Sequence, residues 1–334
     1  MVYQSDNYWI SYANDLSLVP YSVKRNPRVG AVLIDRSGLK IAEGFHEGYG
    51  TDHAEQVAIK IAGKKAKGCT IYVSLSPCNH IGKTPSCSQL IVDSGISKVV
   101  YSNKDPNPLS HQSTEFLNKN GVEVQYLKSN NRYSRVNHRW FKSFELQRPY
   151  VTAKIALSLD GKIHDGINKK QRLTGKESEL EVHQIRNGCD AIVTGTETIL
   201  VDNPELNVRL PKKLQNDKQP IKCVVGDREI PENYRIRMNR TNTLFIKRAH
   251  PKIILDQLFQ NDCHTVLLES GPKLLTEFLN SGLVDELILY LSPLILGKGK
   301  RFLDEIVNPI RDESWQIGNV GLVGEDLRIQ IQIR

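Results

Sequence analysis

Short apolar runs alternate with helix-like segments along this chain of 334 residues, and no other feature limits the possible folds as strongly. In the first half, apolar runs cover residues 30–35, 70–75 and 98–102, and helix-like segments cover 53–62 and 87–94. Strands joined by helices that cross over a sheet give this pattern. The first half is therefore predicted to be a layered α/β domain.

A polar stretch from Tyr126 to Arg148, which contains several aromatic residues, interrupts the alternation. Beyond it, apolar runs and helix-like segments resume from Tyr150 onward. We place a domain boundary there, which gives a first domain of residues 1–146 and a second domain, also α/β, of residues 147–334.

Two local patterns predict elements of the second domain. Thr174 and Glu177 have capping-box spacing and predict the start of a helix that ends at Gly188. Near the end of the sequence, four apolar residues alternate with polar ones, which predicts a strand with one buried face. These residues are Leu327, Ile329, Ile331 and Ile333.

Composition narrows the class of protein. With 39% hydrophobic and 25% charged residues, the chain is neither disordered nor collagen-like. No window approaches the roughly 18 apolar residues of a membrane span, and the first residues lack the pattern of a signal peptide, so we expect a cytoplasmic protein without a membrane partner. Of the net charge of +8, residues 1–147 carry +6. This basic excess attracts phosphate, either in a nucleic acid or in a small metabolite.

The six cysteines fall into two groups. In a cytosolic chain of this length, thiols or metal ligands are expected rather than a disulfide framework. Four cysteines lie in short apolar runs and are predicted to be buried thiols, namely Cys69, Cys189, Cys223 and Cys263. Cys78 and Cys87 instead lie near the ends of predicted elements.

His53, Cys78 and Cys87 are predicted to bind Zn²⁺. One imidazole and two thiolates leave the fourth tetrahedral position to water, which is typical of a catalytic zinc site. Glu55 is predicted to be the catalytic residue that moves a proton from that water to a departing amine. Asp52 and Glu55 also have capping-box spacing, so a purely structural role for Glu55 stays open. The set matches the His-x-Glu…Pro-Cys…Cys pattern of zinc-dependent nucleobase deaminases.

Four segments of the first domain, at residues 26–30, 44–46, 53–55 and 77–87, carry a more specific pattern. They resemble the bifunctional riboflavin-biosynthesis deaminase-reductases, whose long inter-cysteine loop differs from that of cytidine and tRNA-adenosine deaminases. The resemblance implies a cytidine-deaminase-like three-layer α/β/α fold with the zinc ligands and proton shuttle named above. It also implies a pocket for pyrimidine and phosphate lined by Asn26, His46, His80, Lys83 and Thr84.

The resemblance continues through segments 154–162, 190–209 and 269–287 of the second domain. It implies a dihydrofolate-reductase-like α/β fold that uses NADPH to reduce the ribose of a deaminated pyrimidine ribosylamine phosphate. The implied cofactor-binding residues are Lys154, Ala156, Ser158, Asp160, Gly161, Arg172, Thr198, Asp202 and Gly271. The implied substrate-binding residues are Lys170, Arg186, Leu206, Arg209 and Glu269, with Asp202 also catalytic.

Two of these residues have a chemical reason for their role. Arg186 and Arg209 are suited to bind the 5-phosphate of the sugar through fork-like hydrogen bonds. Without the resemblance, Arg186 would be interpreted as a cation favoured by the dipole at the end of a helix.

Departures from the family pattern leave alternatives open. Gln112 and Thr114 stand where the family usually has glycines, and Arg172 stands where it commonly has tryptophan. One alternative is a reductase whose deaminase pocket has drifted, and another, favoured only by the basic and aromatic content of the first half, is an RNA-directed deaminase. We expect a small phosphorylated pyrimidine as partner, no nucleic acid, and a homo-oligomer formed through the second domain.

Overall fold

The computed structural model divides the chain into two compact units, Met1–Glu145 and Leu146–Arg334. The residues that the structure describes are 4–20, 23, 25–79, 86–110, 112–128, 136–166, 172–214, 218–238, 242–303, 306 and 315–333. Within these ranges, every helix is too short or too polar to span a bilayer.

The first unit is built on a five-stranded sheet with the order β2-β1-β3-β4-β5. Its strands are β1 Gly30–Ile34, β2 Lys40–Phe45, β3 Thr70–Val73, β4 Lys98–Tyr101 and β5 Glu123–Tyr126. Its helices are α1 Asp6–Leu16, α2 Ala54–Ala62, α3 Cys87–Asp93, α4 Ser113–Lys119 and α5 His138–Leu146, with 3₁₀ turns at Gly63–Ala66 and Pro108–Ser110. Strand β1 is antiparallel to both neighbours, whereas β3, β4 and β5 are parallel.

Helices cover both faces of this sheet because apolar residues occupy successive positions of the central strands. Ala31 and Leu33 of β1 pack with α2, α3 and α4 on one face. Val32 and Ile34 pack with α1 on the other face, since successive side chains of a strand point to opposite sides. This arrangement confirms the predicted three-layer α/β/α fold.

Gly30 is required where α1 crosses the start of β1. A Cβ at this position would lie 2.2 Å from the carbonyl oxygen of Ala13 and 2.7 Å from Cβ of Leu16. A side chain here would push α1 away from the sheet, so this motif glycine has a packing role. It fixes the start of β1, directly after the segment that carries Asn26.

The second unit is built on an eight-stranded sheet with the order β10-β9-β8-β11-β6-β12-β15-β14, beside a two-stranded ribbon of β13 and β7. Its strands are β6 Tyr150–Ser158, β7 Lys162–His164, β8 Ala191–Gly195, β9 Ile221–Val225, β10 Thr243–Ile246, β11 Thr265–Leu268, β12 Glu286–Ser292, β13 Lys300–Arg301, β14 Trp315–Val323 and β15 Asp326–Ile333. Its helices are α6 Lys176–Asn187, α7 Thr196–Asp202, α8 Arg235–Met238, α9 Pro251–Phe259 and α10 Pro272–Asn280, with a 3₁₀ turn at Lys212–Leu214.

Six strands of the larger sheet, from β10 to β12 in spatial order, are parallel, and β15 and β14 add an antiparallel edge. Helices α9 and α10 cover one face, where Ile254 and Phe278 are fully buried. Helices α6, α7 and α8 cover the other face through Val182, Ile199 and Ile236. The second unit therefore has the predicted α/β class.

Two local features differ from the expectation. Helix α6 begins at Lys176 with Gly175 as its N-cap, so Thr174 does not cap it; the amide of Gly175 donates to Oδ2 of Asp326 at 2.8 Å. The capping-box prediction was therefore wrong, because a partner distant in sequence holds this helix start. The polar stretch at the domain boundary contains helix α5, which buries Trp140.

The alternation predicts one buried face for the closing strand β15, but the structure buries this face only in part. Leu327 is 36% exposed, and the other three apolar residues are only half-buried. The sheet continues beyond β15 with the edge strand β14, where Ile317 and Leu322 are 69% and 76% exposed. Apolar residues of the two strands pair directly, as in Ile317 with Ile331, so they share one face of the sheet.

Candidate functional site

The predicted site residues of the first unit converge on one edge of its sheet. Strands β2, β3 and β4 point in the same direction, because β1 is antiparallel to both β2 and β3. His46 and His53 follow β2 and Cys78 follows β3, while Asn26 precedes β1 at the same edge. Strand direction thus brings together residues that are far apart in the sequence.

His53, Cys78 and Cys87 form a compact cluster. Their ligand atoms, one imidazole nitrogen and two sulfurs, all lie within 4.8 Å of one another. Nδ1 of His53 lies 3.3 Å from Sγ of Cys87 and 3.7 Å from Sγ of Cys78. Tetrahedral Zn²⁺ with ordinary bond lengths separates a nitrogen and a sulfur ligand by about 3.6 Å. The donor set and its spacing therefore fit a Zn²⁺ ion with three protein ligands.

Hydrogen bonds hold both cysteines in this cluster. The carbonyl of Cys78 accepts from the amide and the hydroxyl of Ser88, at 3.1 and 2.9 Å. The amide of Cys87 donates to Sγ of Cys78 at 3.4 Å. Cys87 is the first residue of α3, which Ser86 caps by accepting from the amide of Gln89. The start of α3 thus fixes both sulfurs.

The cluster favours an ionised thiol. Contact with Cys87 is the main reason that the pKa of Cys78 falls to about 4. Contact with Cys78 raises the pKa of His53 to about 9, and the pKa of Cys87 lies well above its ordinary value. By contrast, burial alone raises the pKa of Cys223 to about 12. Because the thiolate is the form that binds metal, Cys78 is already suited to be a ligand, whereas the thiol of Cys87 loses its proton only when a metal cation binds.

Glu55 is buried beside these ligands, with 4% of its surface exposed. Burial raises the pKa of its carboxyl above the ordinary value, against the opposing effect of His53. The amide of His53 donates to Oε1 of Gln56 at 2.9 Å, so Gln56 rather than Glu55 caps α2. The alternative of a capping role for Glu55 is therefore wrong. A buried carboxyl with a raised pKa is suited to accept and return a proton.

His46 fixes the orientation of Asn26. Nδ1 of His46 lies 3.0 Å from the carbonyl oxygen of Asp52, which can only accept, so this nitrogen carries the hydrogen. Nε2 then accepts from Nδ2 of Asn26 at 3.0 Å. Burial lowers the pKa of His46 to about 4, which keeps the ring neutral. The side-chain oxygen Oδ1 of Asn26 can then accept a hydrogen bond from a ligand.

Four predicted substrate-binding residues belong to parts of the chain that the structure does not describe. His80, Lys83 and Thr84 of the first domain and Lys170 of the second lie outside the described residues. Their roles in substrate binding stay predictions.

Gln112 occupies a position where the family usually has glycine, and its backbone is left-handed, with φ of +73°. Glycine reaches this conformation without steric cost, whereas glutamine does not. Here the conformation persists with glutamine, directly before α4. Thr114 lies in the first turn of that helix.

In the second unit, a cavity of about 450 Å³ opens at the carboxyl ends of β6, β8 and β11. From β8 the chain continues to β9 on one side, while β11 and β6 lie on the other. Ligands bind at such switch points in open α/β sheets. Six predicted residues line the cavity, namely Lys154, Ala156, Thr198, Asp202, Glu269 and Gly271.

Glu269 carries a fixed negative charge in the cavity wall. Its carboxylate accepts from Nε and Nη2 of Arg186, at 2.6 and 2.7 Å. Burial would raise its pKa, but Arg186 outweighs burial and the pKa is lowered. Lys154 lies nearby, where burial lowers the pKa of its ammonium against the opposing charge of Glu269.

The guanidinium of Arg186 is paired within the protein, and its predicted role in phosphate binding stays a prediction. It was expected to bind a substrate phosphate, but two of its nitrogens bind Glu269 and Nη1 donates to the carbonyl of Asn207 at 3.2 Å. The physical reason is that a buried carboxylate is strongly destabilising without a cation of matching geometry. Arg186 therefore orients Glu269 in this arrangement.

Ser158 and Asp160 lie outside the lining of this cavity and shape a neighbouring loop. The hydroxyl of Ser158 donates to Asp160 at 2.7 Å. Asp160 also accepts from the amides of Leu296 and Gly297, at 3.0 and 2.8 Å. These bonds lower the pKa of Asp160 to about 2. The pair thus holds the loop that follows β12.

The remaining predicted residues also lie outside the cavity lining. Arg172 and Arg209 both pair with Glu179, at 3.0 and 3.4 Å, and are largely exposed. Leu206 is buried, with a positive φ of +52°, and Gly161 also has a positive φ, of +75°. Their roles in binding stay predictions.

Several residues that line the cavity were not predicted from the sequence, among them His164, Ser270 and Lys300. A usable signal was the Gly-Lys-Gly-Lys repeat that ends at Lys300. A Cβ on Gly299 would lie 2.0 Å from the carbonyl oxygen of His164, so only glycine allows β13 to approach β7. The hydroxyl of Ser270 is buried and has no hydrogen-bond partner among the described residues, which fits a polar ligand.

A second cavity, of about 350 Å³, shares Thr198, Gly271 and Lys300 with the first. It extends along the carboxyl ends of β9 and β10, where Arg228 and Arg248 line it. Helix α10 begins between the two cavities, and the free amides at a helix start favour phosphate. Together the cavities form an elongated site whose residues fit a dinucleotide.

Two sequence families match separate parts of the chain. Residues 3–103 match the family described as "Cytidine and deoxycytidylate deaminase zinc-binding region". Residues 149–323 match the family described as "RibD C-terminal domain".

Curated relatives match nearly the whole chain. The riboflavin biosynthesis protein RibD of Aquifex aeolicus is 33% identical over 327 residues, which covers 91% of this chain and 91% of the relative. The protein of the same name from Escherichia coli is 30% identical over 332 residues, which covers 89% of this chain and 90% of the relative.

Solved structures match over the same extent. RibD of Acinetobacter baumannii has a TM-score of 0.89 at 29% identity and covers 98% of this chain and 99% of its own. The diaminohydroxyphosphoribosylaminopyrimidine deaminase/5-amino-6-(5-phosphoribosylamino)uracil reductase of Thermotoga maritima has a TM-score of 0.81 at 30% identity, with the same coverage. These matches confirm the predicted fold class of both units.

Replacing one cysteine of the cluster should remove the metal. In Cys87→Ser, zinc affinity is expected to fall about 100-fold or more, because a soft thiolate ligand is lost. Zinc per chain is measured by mass spectrometry after gel filtration in metal-free buffer. Cys69→Ser is the matched control, since this buried thiol donates to the carbonyl of Lys65 outside the cluster. Equal zinc content in both variants would show that the cluster is not the metal site.

Proposed function

This chain belongs to the RibD family of riboflavin biosynthesis proteins, and we propose that its two units catalyse successive steps on one phosphorylated pyrimidine. The first unit deaminates 2,5-diamino-6-(ribosylamino)pyrimidinone 5′-phosphate by hydrolysis. The second reduces the ribose of the product, 5-amino-6-(5-phosphoribosylamino)uracil, to a ribityl chain with NADPH. The relative from Thermotoga maritima bears the names of both activities.

The observation that carries the proposal is the cluster of His53, Cys78 and Cys87 beside buried Glu55. Among the described residues, three side chains offer ligands beside an acid–base carboxyl, which suits hydrolysis at a metal, whereas a structural zinc site has four protein ligands. The elongated site of the second unit supports the second activity.

Hydrolytic deamination consumes one water, replaces a ring C–NH₂ by C=O and releases ammonia. Zinc held by the cluster supplies the electrostatic activation that makes water a competent nucleophile at neutral pH. Glu55 accepts the proton from the attacking water and donates it to the departing amino group. Burial of Glu55 excludes solvent that would compete for this proton. Asn26, oriented by His46, accepts a hydrogen bond from the pyrimidine through its free carbonyl oxygen.

Reduction requires that the ribosylamine opens to an imine, which then takes a hydride at C1 and a proton at nitrogen. NADPH, when bound, supplies the hydride. Glu269, kept ionised by Arg186, stabilises the positive charge of the protonated imine. Asp202, which also lines the cavity, orients the hydroxyls of the open sugar or assists proton transfer to the nitrogen.

Ammonia release from the diaminopyrimidine substrate, without NADPH, tests the first step in the zinc-loaded chain. In Glu55→Gln the rate is expected to fall about 10²- to 10⁴-fold, because the amide cannot carry the proton. Glu115→Gln is the control, since this exposed carboxylate pairs with Lys119 on α4.

Two other outcomes have distinct meanings. Equal rates in Glu55→Gln and the wild type would contradict the role of Glu55. A zinc-loaded chain that releases no ammonia but oxidises NADPH with the deaminated substrate would favour the alternative of a reductase with an inactive deaminase pocket.

The second cavity suits the end of NADPH that distinguishes it from NADH. Arg228 and Arg248 line this cavity and are exposed, and each pairs with a carboxylate, Glu197 and Glu277 respectively. A phosphate dianion can compete for both guanidinium groups. We therefore assign the 2′-phosphate of NADPH to these two arginines.

Removing both guanidinium groups should weaken the preference for NADPH. In the Arg228→Ala, Arg248→Ala double variant, KM for NADPH is expected to rise roughly tenfold, with little change in KM for NADH. Lys252→Ala is the control, because this exposed cation pairs with Asp256 and lines neither cavity. A parallel rise in both KM values would contradict the assignment.

The exposed face of β14 and β15 supports a homo-oligomer. Edge strands expose unpaired backbone groups, and this one adds an apolar face that includes Ile317, Val320 and Leu322. A second copy of the chain presents the same edge, so a symmetric contact covers both faces at once. The reductase units then form the interface.

Leu322→Lys is expected to convert the oligomer to monomers, because it places a charge on the contact face. Sedimentation velocity at micromolar concentration measures the change. Ile253→Lys adds the same charge at an exposed apolar position of α9 and should leave the oligomer intact. A wild-type chain that sediments as a monomer would contradict this contact.

A further inference from the structure

Asn137 holds the backbone of the segment that carries Asn26. Its Oδ1 accepts from the amide of Arg28 at 2.8 Å, and its Nδ2 donates to the carbonyl of Arg28 at 3.0 Å. Only 4% of Asn137 is exposed, so water does not compete for these bonds. A single side chain thus supplies the paired donor and acceptor that a neighbouring strand would offer to one residue.

Asn26 and Arg28 lie before the first paired residue of β1, so the hydrogen bonds of the sheet do not fix their backbone. The pairing of β1 with β2 begins at Gly30, and beyond it the carbonyl of Val29 accepts from the amide of His46 at 3.0 Å. Pro27 has no amide hydrogen to donate. Arg25 has a positive φ of +62°, which costs free energy in a residue other than glycine.

The bonds to Arg28 continue into the pyrimidine site. Asn26, two residues earlier, donates to Nε2 of His46, and Nδ1 of His46 donates to the carbonyl of Asp52. Asp52 directly precedes the metal ligand His53. A displacement of the Arg28 backbone would therefore move Asn26 away from the ring that orients it.

Asn137 directly precedes α5 and is held by contacts of this helix. The carbonyl of Asn137 accepts from the amide of Phe141 at 2.9 Å, at the start of α5. In this helix, Trp140 is buried and packs edge-to-face with Phe141 and Phe144. The hydroxyl of Ser143 donates to the carbonyl of Trp140 at 2.7 Å. These contacts order the helix, and Phe141 packs against the apolar core of the first unit, which holds Asn137 in place.

We propose that Asn137 is a positioning residue for the pyrimidine site of the first unit, and that it acts through Asn26 by holding the backbone of Arg28. This inference rests on the proposed deaminase function. It assigns a role in substrate binding to a residue outside the zinc and pyrimidine motifs.

Kinetics of ammonia release by the full-length, zinc-loaded chain test this role. In Asn137→Ala, KM for the diaminopyrimidine substrate is expected to rise about tenfold, with a smaller change in kcat and unchanged zinc content. Because Asn137 acts through Asn26, the Asn26→Ala, Asn137→Ala double variant should have the same KM as Asn26→Ala alone. KM effects that multiply in the double variant would overturn the proposal.

A buried asparagine elsewhere in the unit provides the matched control. Asn14 of α1 is also buried and accepts from the hydroxyl of Ser102 at 3.0 Å. Asn14→Ala removes a comparable hydrogen bond, and KM should stay at the wild-type value. A rise in KM as large as that of Asn137→Ala would show a general loss of stability and would overturn the specific role.

Hydrogen exchange separates this proposal from the proposed function. In Asn137→Ala, the amide of Arg28 loses its acceptor, and its exchange is expected to accelerate at least about tenfold. Unchanged exchange would overturn the role of Asn137, even in an active enzyme. A wild-type chain that releases no ammonia would instead overturn the deaminase function, while faster exchange at Arg28 would still support the hold of Asn137 on this segment.

Discussion

The common direction of the hydrogen-bonded strands is the constraint on which both candidate sites depend. In the first unit, β1 is antiparallel to both of its neighbours, so β2, β3 and β4 end at one edge of the sheet. The ligand side chains His53, Cys78 and Cys87 come together at this edge. In the second, six parallel strands end at one edge, and the two cavities follow their carboxyl ends. Backbone pairing is cooperative and specific in register, so it places loops from distant parts of the sequence side by side. The site chemistry then requires only that each loop carries the appropriate side chain.

The two units stabilise buried charge in different ways. In the first, two sulfurs and one imidazole share protons among themselves, which lowers the pKa of Cys78 and raises that of His53. In the second, the two-point contact of Arg186 keeps Glu269 ionised although it is buried. The first arrangement is completed by a cation from outside, whereas the second is complete within the protein. His53, Cys78 and Cys87 could therefore be predicted from the sequence as metal ligands, whereas the pairing of Arg186 with Glu269 could not.

Local pattern accounts for the parts of the structure that the sequence predicted. The metal ligands His53, Cys78 and Cys87 could be predicted because they lie at the ends of elements whose hydrophobic periodicity is apparent in the sequence. Contacts between distant residues left no such pattern. Arg186 meets Glu269 across 83 residues, and Asn137 meets Arg28 across 109. Helix α5 was hidden by its polar composition, and the open face of β15 by an alternation that does not reveal what covers it. Residue roles in binding, including those of Arg172 and Arg209, stay predictions.

Gln112 adopts a left-handed backbone conformation that is usually found in glycine. Its left-handed φ costs a residue with a side chain about 1 kcal/mol that glycine would not pay. Contacts of the surrounding residues must stabilise this turn, because glutamine itself does not favour it. The turn before α4 therefore does not require glycine in this chain. The first unit therefore carries this strain as a small loss of stability that a glycine at the same position would not cause.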